Sequence, residues 1–200
     1  MRTLIIDNYP PNSPQITNLY NVIKDITAHT VEVKSYTTIS AGDDLKLFDV
    51  LVLSGAPSKL AEPGVFELYT NEAALLRGIN KPVLGICFGH QLIAMAFGEN
   101  VAPTNKEIEG YYIVHRLVED KLFEGLGDKF LVRESHIEIV QNVPFDFVLL
   151  ADSPNCPIEV MKHPRTPIYG VQFHPERFDD KHPAGGIILE NFFALASLYI

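Results

Sequence analysis

Pro82-Val83-Leu84-Gly85-Ile86-Cys87-Phe88-Gly89-His90-Gln91 is the stretch that decides the fold. Its apolar run as far as Ile86 reads as a buried strand, and Leu92-Ile93-Ala94-Met95-Ala96-Phe97 continues it as a helix starting at about Gly89. One cysteine stands on the sharp turn between them. A residue at such an elbow is held in a strained backbone conformation, and its neighbours two positions away on either side have to be very small, which Gly85 and Gly89 supply. The helix points its free N–H groups and the positive end of its dipole back at the sulfur, favouring negative charge there. Alone, this pattern does not separate a nucleophile from a buried core cysteine, so a base is needed.

Working outward, residues 3–6 read as a first buried strand, 15–26 as a helix with Ile16, Leu19, Val22, Ile23 and Ile26 on one stripe, 30–33 as a second strand and 49–53 as a third. Residues 65–78 read as one helix, with Leu68, Ala73 and Leu76 inward and Gly78 as its stop. Strand 82–86 and the elbow helix come next. This is the β-α-β rhythm of an α/β fold, a mostly parallel sheet covered on both faces by helices. Beyond Glu109, short alternating runs over 111–117, 129–133, 147–151, 158–162 and 168–173 predict a C-terminal antiparallel extension, ahead of a terminal helix over about 186–198. With no repeat, low-complexity tract or linker, residues 1–200 are expected to form a single domain.

The base is offered by Pro167-Ile168-Tyr169-Gly170-Val171-Gln172-Phe173-His174-Pro175-Glu176, a strand running into His-Pro-Glu. Pro175 cannot donate to a sheet ladder, so His174 is left at the rim where sites gather. If the chain stays extended, side chains 174 and 176 project the same way and Glu176 can orient the imidazole. Cys87, His174 and Glu176 then form a nucleophile, base and acid set joined only by folding. Phe48-Asp49-Val50-Leu51-Val52-Leu53-Ser54-Gly55-Ala56-Pro57-Ser58 carries the third buried strand out into a Gly-Pro loop. The backbone N–H groups of Gly55 and Phe88 would make a two-donor pocket for a tetrahedral oxyanion, although an ordinary strand-ending turn reads the same way.

Gly85-Ile86-Cys87-Phe88-Gly89-His90-Gln91 followed by Gly170-Val171-Gln172-Phe173-His174-Pro175-Glu176 resembles the triad-type (class I) glutamine amidotransferases over essentially the whole chain. The resemblance implies their flavodoxin-like fold and hydrolysis of the side-chain amide of L-glutamine through a γ-glutamyl thioester, with ammonia passed to a separate ATP-dependent synthetase subunit. It assigns Cys87 as nucleophile, His174 as general base and then acid, Glu176 as orienting carboxylate, and Gly55 and Phe88 as oxyanion donors. Gln91, Ser135 and His136 would hold the substrate glutamine. Within the family, Glu134-Ser135-His136-Ile137-Glu138-Ile139-Val140 and the 153–170 segment resemble the glutaminase subunit of GMP synthase, with Glu138 where aspartate is usual. The start, Ile6-Asp7-Asn8-Tyr9-Pro10-Pro11-Asn12-Ser13, is similar instead to the anthranilate and aminodeoxychorismate synthase glutaminases, and 177–186 is longer and differently charged than in the GMP synthase subunit. The acceptor therefore stays open between these, and two other classes stay open beside them: a cysteine hydrolase of the dienelactone or peptidase kind, and a non-enzymatic subunit on the same scaffold.

A chain of 200 residues with 46% hydrophobic and 20% charged residues suits a globular enzyme with a large core. A net charge of −9 with no Lys/Arg cluster argues against a nucleic-acid surface. The two cysteines, Cys87 and Cys156, form no disulfide framework, Cys156 being structural or incidental, and the seven histidines show no metal-ligand spacing, so no metal and no cofactor are expected. Nothing resembles a signal peptide or a membrane span, which predicts a cytoplasmic protein.

Overall fold

The computed structural model describes residues 1–42 and 45–199. Nine strands form one sheet in the order β2-β1-β3-β4-β9-β8-β7-β5-β6. The strands are β1 (Arg2–Asp7), β2 (Thr30–Ser35), β3 (Val50–Leu53), β4 (Val83–Ile86), β5 (Val101–Arg116), β6 (Lys129–Val140), β7 (Val148–Asp152), β8 (Val160–Lys162) and β9 (Ile168–Val171). From β2 to β9 every pairing is parallel, and from β9 to β6 every pairing is antiparallel.

Strand alternation explains the layering. Ile5, Val50, Val52, Leu84 and Ile86 face helices α1 (Pro14–Ile26) and α4 (Ala184–Ala196), packing on Leu19, Ile23, Ile188, Leu189 and Phe192. Leu4, Ile6, Leu51, Leu53 and Val83 face the opposite way, onto Ala73, Leu75 and Leu76 of α2 (Thr70–Gly78) and Leu92 and Ile93 of α3 (Phe88–Ala96). Strands covered on both sides have no polar face, which is why β3 and β4 are buried at every position.

Several boundaries depart from the sequence expectation. The single helix expected over 65–78 is a 3₁₀ turn (Phe66–Tyr69) followed by α2, and Leu68 is 64% exposed rather than inward. Tyr69 leaves helical angles at that junction, with φ −111° and ψ 10°, so the stripe through Ala73 and Leu76 does not extend back to Leu68. Helix α3 starts at Phe88, one residue sooner than expected, and α4 starts at Ala184. The antiparallel strands β5 and β6 are much longer than the runs over 111–117 and 129–133: in β5 a register shift between Pro103 and Ile108 breaks the period-two pattern that marks a strand, and in β6 the alternation continues but its buried positions carry Glu134, His136 and Glu138 in place of apolar residues.

The parallel strands all end at one edge of the sheet, the usual place for a ligand in this architecture. Strand β6, at the end of the sheet order, curls back across that edge: the His174 N–H donates to the Arg133 carbonyl at 2.8 Å.

Candidate active site

Cys87 follows β4 with φ 51° and ψ −102°. A residue carrying a Cβ is strained there by roughly 1–3 kcal/mol. Its N–H donates to the Val171 carbonyl at 2.8 Å and its carbonyl accepts the Gln91 N–H at 3.1 Å, so the surrounding ladder and helix fix the conformation. The flanking glycines have the steric reason expected of them. A Cβ on Gly85 would lie 2.6 Å from the Gly89 carbonyl oxygen, and one on Gly89 would lie 2.6 Å from the Leu53 carbonyl oxygen. Because α3 begins at Phe88, the N–H groups of its first turn have no intrahelical acceptor and lie next to the sulfur in sequence and space.

His174 stands at the end of the β9 segment, fully enclosed, and its Nδ1 lies 2.7 Å from Glu176 Oε1. The chain does not stay extended to bring them together; it turns into a short 3₁₀ segment (Pro175–Arg177), and that turn folds the carboxylate back under the ring. With Nδ1 donating to Glu176, Nε2 is left for the sulfur side. Burial alone would favour neutral imidazole, but the Glu176 carboxylate and then the Cys87 sulfur outweigh it and push His174 up to about 10. Burial likewise opposes the Glu176 charge, yet His174 and, more weakly, Arg177, with Nε 3.7 Å away, hold that carboxyl below the usual carboxylate range.

The sulfur has two further neighbours. Its S–H can donate to the Ser135 carbonyl at 3.7 Å, and Gln172 Nε2 donates to it at 3.6 Å. Gln172 Oε1 accepts from Gln91 Nε2 at 3.2 Å, and the same Gln91 nitrogen donates to the Glu138 carbonyl at 2.8 Å. The Gln91 amide nitrogen is thereby occupied, leaving its oxygen to offer a ligand.

Cys87, Gln91, Ser135, His136 and His174 line one pocket of about 310 Å³, together with Tyr9, residues 56–58 and Arg177. Glu176 lies behind His174 rather than in the wall. Gly55 packs beneath the site: a Cβ there would lie 2.7 Å from the Tyr9 hydroxyl oxygen and 3.0 Å from His174 Cε1. Phe88 turns its ring away from the pocket onto Tyr69, at 4.6 Å between centroids. His136 points its imidazole inward, with Nδ1 3.1 Å from the Glu138 carbonyl, so it meets the pocket through its backbone.

Two contributors escaped the sequence reading. Gln172 is completely buried and touches both sulfur and Gln91; period-two alternation, which puts 172 and 174 on one face, was the signal available. Tyr9 comes from the loop after β1, and burial, with Glu176 and Cys87 nearby, raises its phenol above the ordinary value, keeping it a neutral donor. No spacing rule ties residue 9 to residue 87.

Among the described residues no group of three or more His, Cys, Asp or Glu side chains could hold a metal ion, and both cysteines are free. No helix among them is long and apolar enough to cross a membrane.

The family described as Glutamine amidotransferase class-I matches residues 4–196. The chain belongs to the class-I glutamine amidotransferases. This amidotransferase is 41% identical over 171 residues to a subunit of the glutamine-hydrolyzing GMP synthase from Pyrococcus abyssi, covering 82% of this chain and 86% of that one. It is 36% identical over 203 residues to the subunit of the same name from Methanosarcina mazei, covering 100% and 98%. Among solved structures, a Thermoplasma acidophilum protein described as the corresponding GMP synthase subunit superposes with a TM-score of 0.85 at 27% identity, covering 100% of this chain and 95% of that one.

Proposed function

We propose that this amidotransferase is a glutaminase subunit, one domain spanning residues 1–200, that hydrolyses the side-chain amide of L-glutamine and passes ammonia to a separate ATP-dependent synthetase making GMP from XMP. The observation that carries the chemistry is His174 held between the strained Cys87 and a Glu176 carboxylate 2.7 Å from its Nδ1. The acceptor is carried by the relatives, named GMP synthase subunits and matching this chain along its full length at 36% identity.

In this reading the Cys87 sulfur attacks the amide carbon while the N–H groups of Phe88 and Gly55 receive the negative charge developing on oxygen. His174 gives its proton to the departing nitrogen, ammonia leaves, and a γ-glutamyl thioester remains. His174 then takes a proton from water, whose oxygen attacks the thioester carbon; glutamate departs and the sulfur is restored. Glu176 keeps the ring oriented and its cation stable throughout. Gln91, through its free oxygen, and the backbone at Ser135 and His136 hold the amino-acid end of the substrate. No metal or cofactor takes part in these steps, and the protein works in the cytoplasm.

The test is ammonia release from glutamine by the purified chain, with covalent capture of Cys87 by a diazo-ketone glutamine analogue, followed by identification of the synthetase that co-purifies from native extract. Loss of both signals in Cys87→Ala supports the reading. Retained ammonia release in that variant overturns it. Capture of a chorismate-using synthetase, with no amination of XMP in the reconstituted mixture, would keep the glutaminase and replace the acceptor.

A further inference from the structure

Behind the pocket lie two carboxyl side chains that the steps above do not use. Glu134, on β6, is 1% exposed, and Glu159, just before β8, is fully buried. All four of their oxygens lack an aligned hydrogen-bond partner. They come within hydrogen-bonding reach of each other, but two ionised carboxylates have no hydrogen to share. Around Glu134 stand His136, whose Nε2 is 3.1 Å from Oε2 but off the line of a hydrogen bond, and the more distant His174. Around Glu159 stand Ser153, His136 and Cys156. Ser153 Oγ accepts the N–H groups of Asn155 and Cys156, which leaves its own O–H to face Glu159. Among the described residues, no lysine or arginine forms an ion pair with either carboxyl, His136 being the ion-pair partner of Glu134.

Their backbone positions give this pair a purpose. Glu134 sits between Arg133, whose carbonyl holds the His174 N–H, and Ser135, whose carbonyl meets the Cys87 sulfur. The Glu159 carbonyl accepts the N–H of Gln172, the residue that donates to the same sulfur. A bond between the two side chains therefore clamps the curled strand β6 against the β9 segment beneath the pocket. We propose that Glu134 and Glu159 share one proton as an acid–carboxylate pair, Glu159 donating its O–H to Glu134, and that this pair is the positioning device holding β6 over Cys87 and His174. Burial raises both carboxyls above the ordinary range, in keeping with a retained proton. When the shared proton leaves, two adjacent carboxylates repel and β6 draws back, loosening the Ser135 and His136 backbone that lines the pocket.

The pair can be tested without enzyme activity, and only the kinetic arm rests on the glutaminase reading. Carbon NMR of the chain labelled at glutamate Cδ, assigned with Glu134→Gln and Glu159→Gln, should follow two coupled steps with the second proton leaving above neutral pH. Both carbons fully ionised by about pH 6 would overturn the proposal. If the variants do not fold, the carbonyl stretch of an un-ionised carboxylic acid, sought by infrared spectroscopy at neutral pH in a Glu72→Gln background that removes another buried acid raised by its surroundings, serves instead; its absence is equally fatal. In kinetics, KM for glutamine should rise about ten-fold as the second proton leaves while kcat changes little, and Glu159→Gln should flatten that rise. A KM equally pH-dependent in the variant would overturn the positioning role. If no glutamine is hydrolysed at all but the two-step titration appears, the pair stands and the glutaminase reading falls.

Discussion

Gln172 donates from Nε2 to the Cys87 sulfur across 3.6 Å while its Oε1 accepts from Gln91. One buried amide thus joins the elbow cysteine to a residue of the pocket wall. It sits on the segment that also carries His174, so two of the groups facing the sulfur are set by a single run of backbone, while the third, the Ser135 carbonyl, comes from β6.

Gln172→Ala is expected to lower kcat/KM for glutamine by about ten-fold, the worth of a hydrogen bond to a charged or polarised group, without unfolding the chain. Steady-state ammonia release alongside circular dichroism checks it. Unchanged kinetics would remove Gln172 from the site.

Glu176→Gln takes away the carboxylate that most strongly keeps His174 protonated against burial. The sign follows directly: the imidazolium should lose its proton at a lower pH than about 10, so the alkaline fall in kcat moves to lower pH. The rate at the optimum should drop roughly 10²-fold, the lower end of what general acid–base catalysis supplies. A pH–rate profile reads both, and an unmoved alkaline limb would contradict the pairing.

Cys87→Gly should be more stable than Cys87→Ala by about 1 kcal/mol, since glycine occupies φ 51° without the strain that alanine retains. Both should be inactive. Equal thermal midpoints would mean that the elbow stores no strain. In contrast, Gly89→Ala should destabilise by roughly 1–3 kcal/mol, because its methyl meets Leu53 backbone rather than a movable side chain.

Glu72 on α2 is enclosed, touching Asn8, and burial pushes its carboxyl up to about 8. A raised folded-state value means that the native chain holds a proton the unfolded chain has lost. Its contribution is full below about pH 4.5 and is lost as pH rises through about 8, at up to about 1.4 kcal/mol per pH unit. Denaturant unfolding across that window should show a decline that Glu72→Gln removes. An identical slope in the variant would show that Glu72 ionises freely in the native chain.

The elbow was legible in ten residues because its requirements are local: an apolar strand, a helix, and two positions where no Cβ fits. The two-sided cover of β3 and β4 was legible for a similar reason, since a strand without a polar face has to be buried on both sides. The 3₁₀ start before α2 was not, because Leu68 satisfies a helical period that the backbone abandons at Tyr69. The full length of β5 was hidden by an irregularity that disrupts alternation without ending the pairing, and that of β6 by the polar side chains Glu134, His136 and Glu138 on its buried face.

The linear order of residues thus determined the family and which segments carry the candidate site. It could not say that β6 bends back over the strand ends, that Tyr9 rests on Gly55, or that Glu134 and Glu159 are buried together behind the pocket. Those contacts join residues 25 to 46 positions apart or more, and no local preference encodes them. They arise when burial of both sheet faces fixes the strand order and forces distant backbone into one crevice.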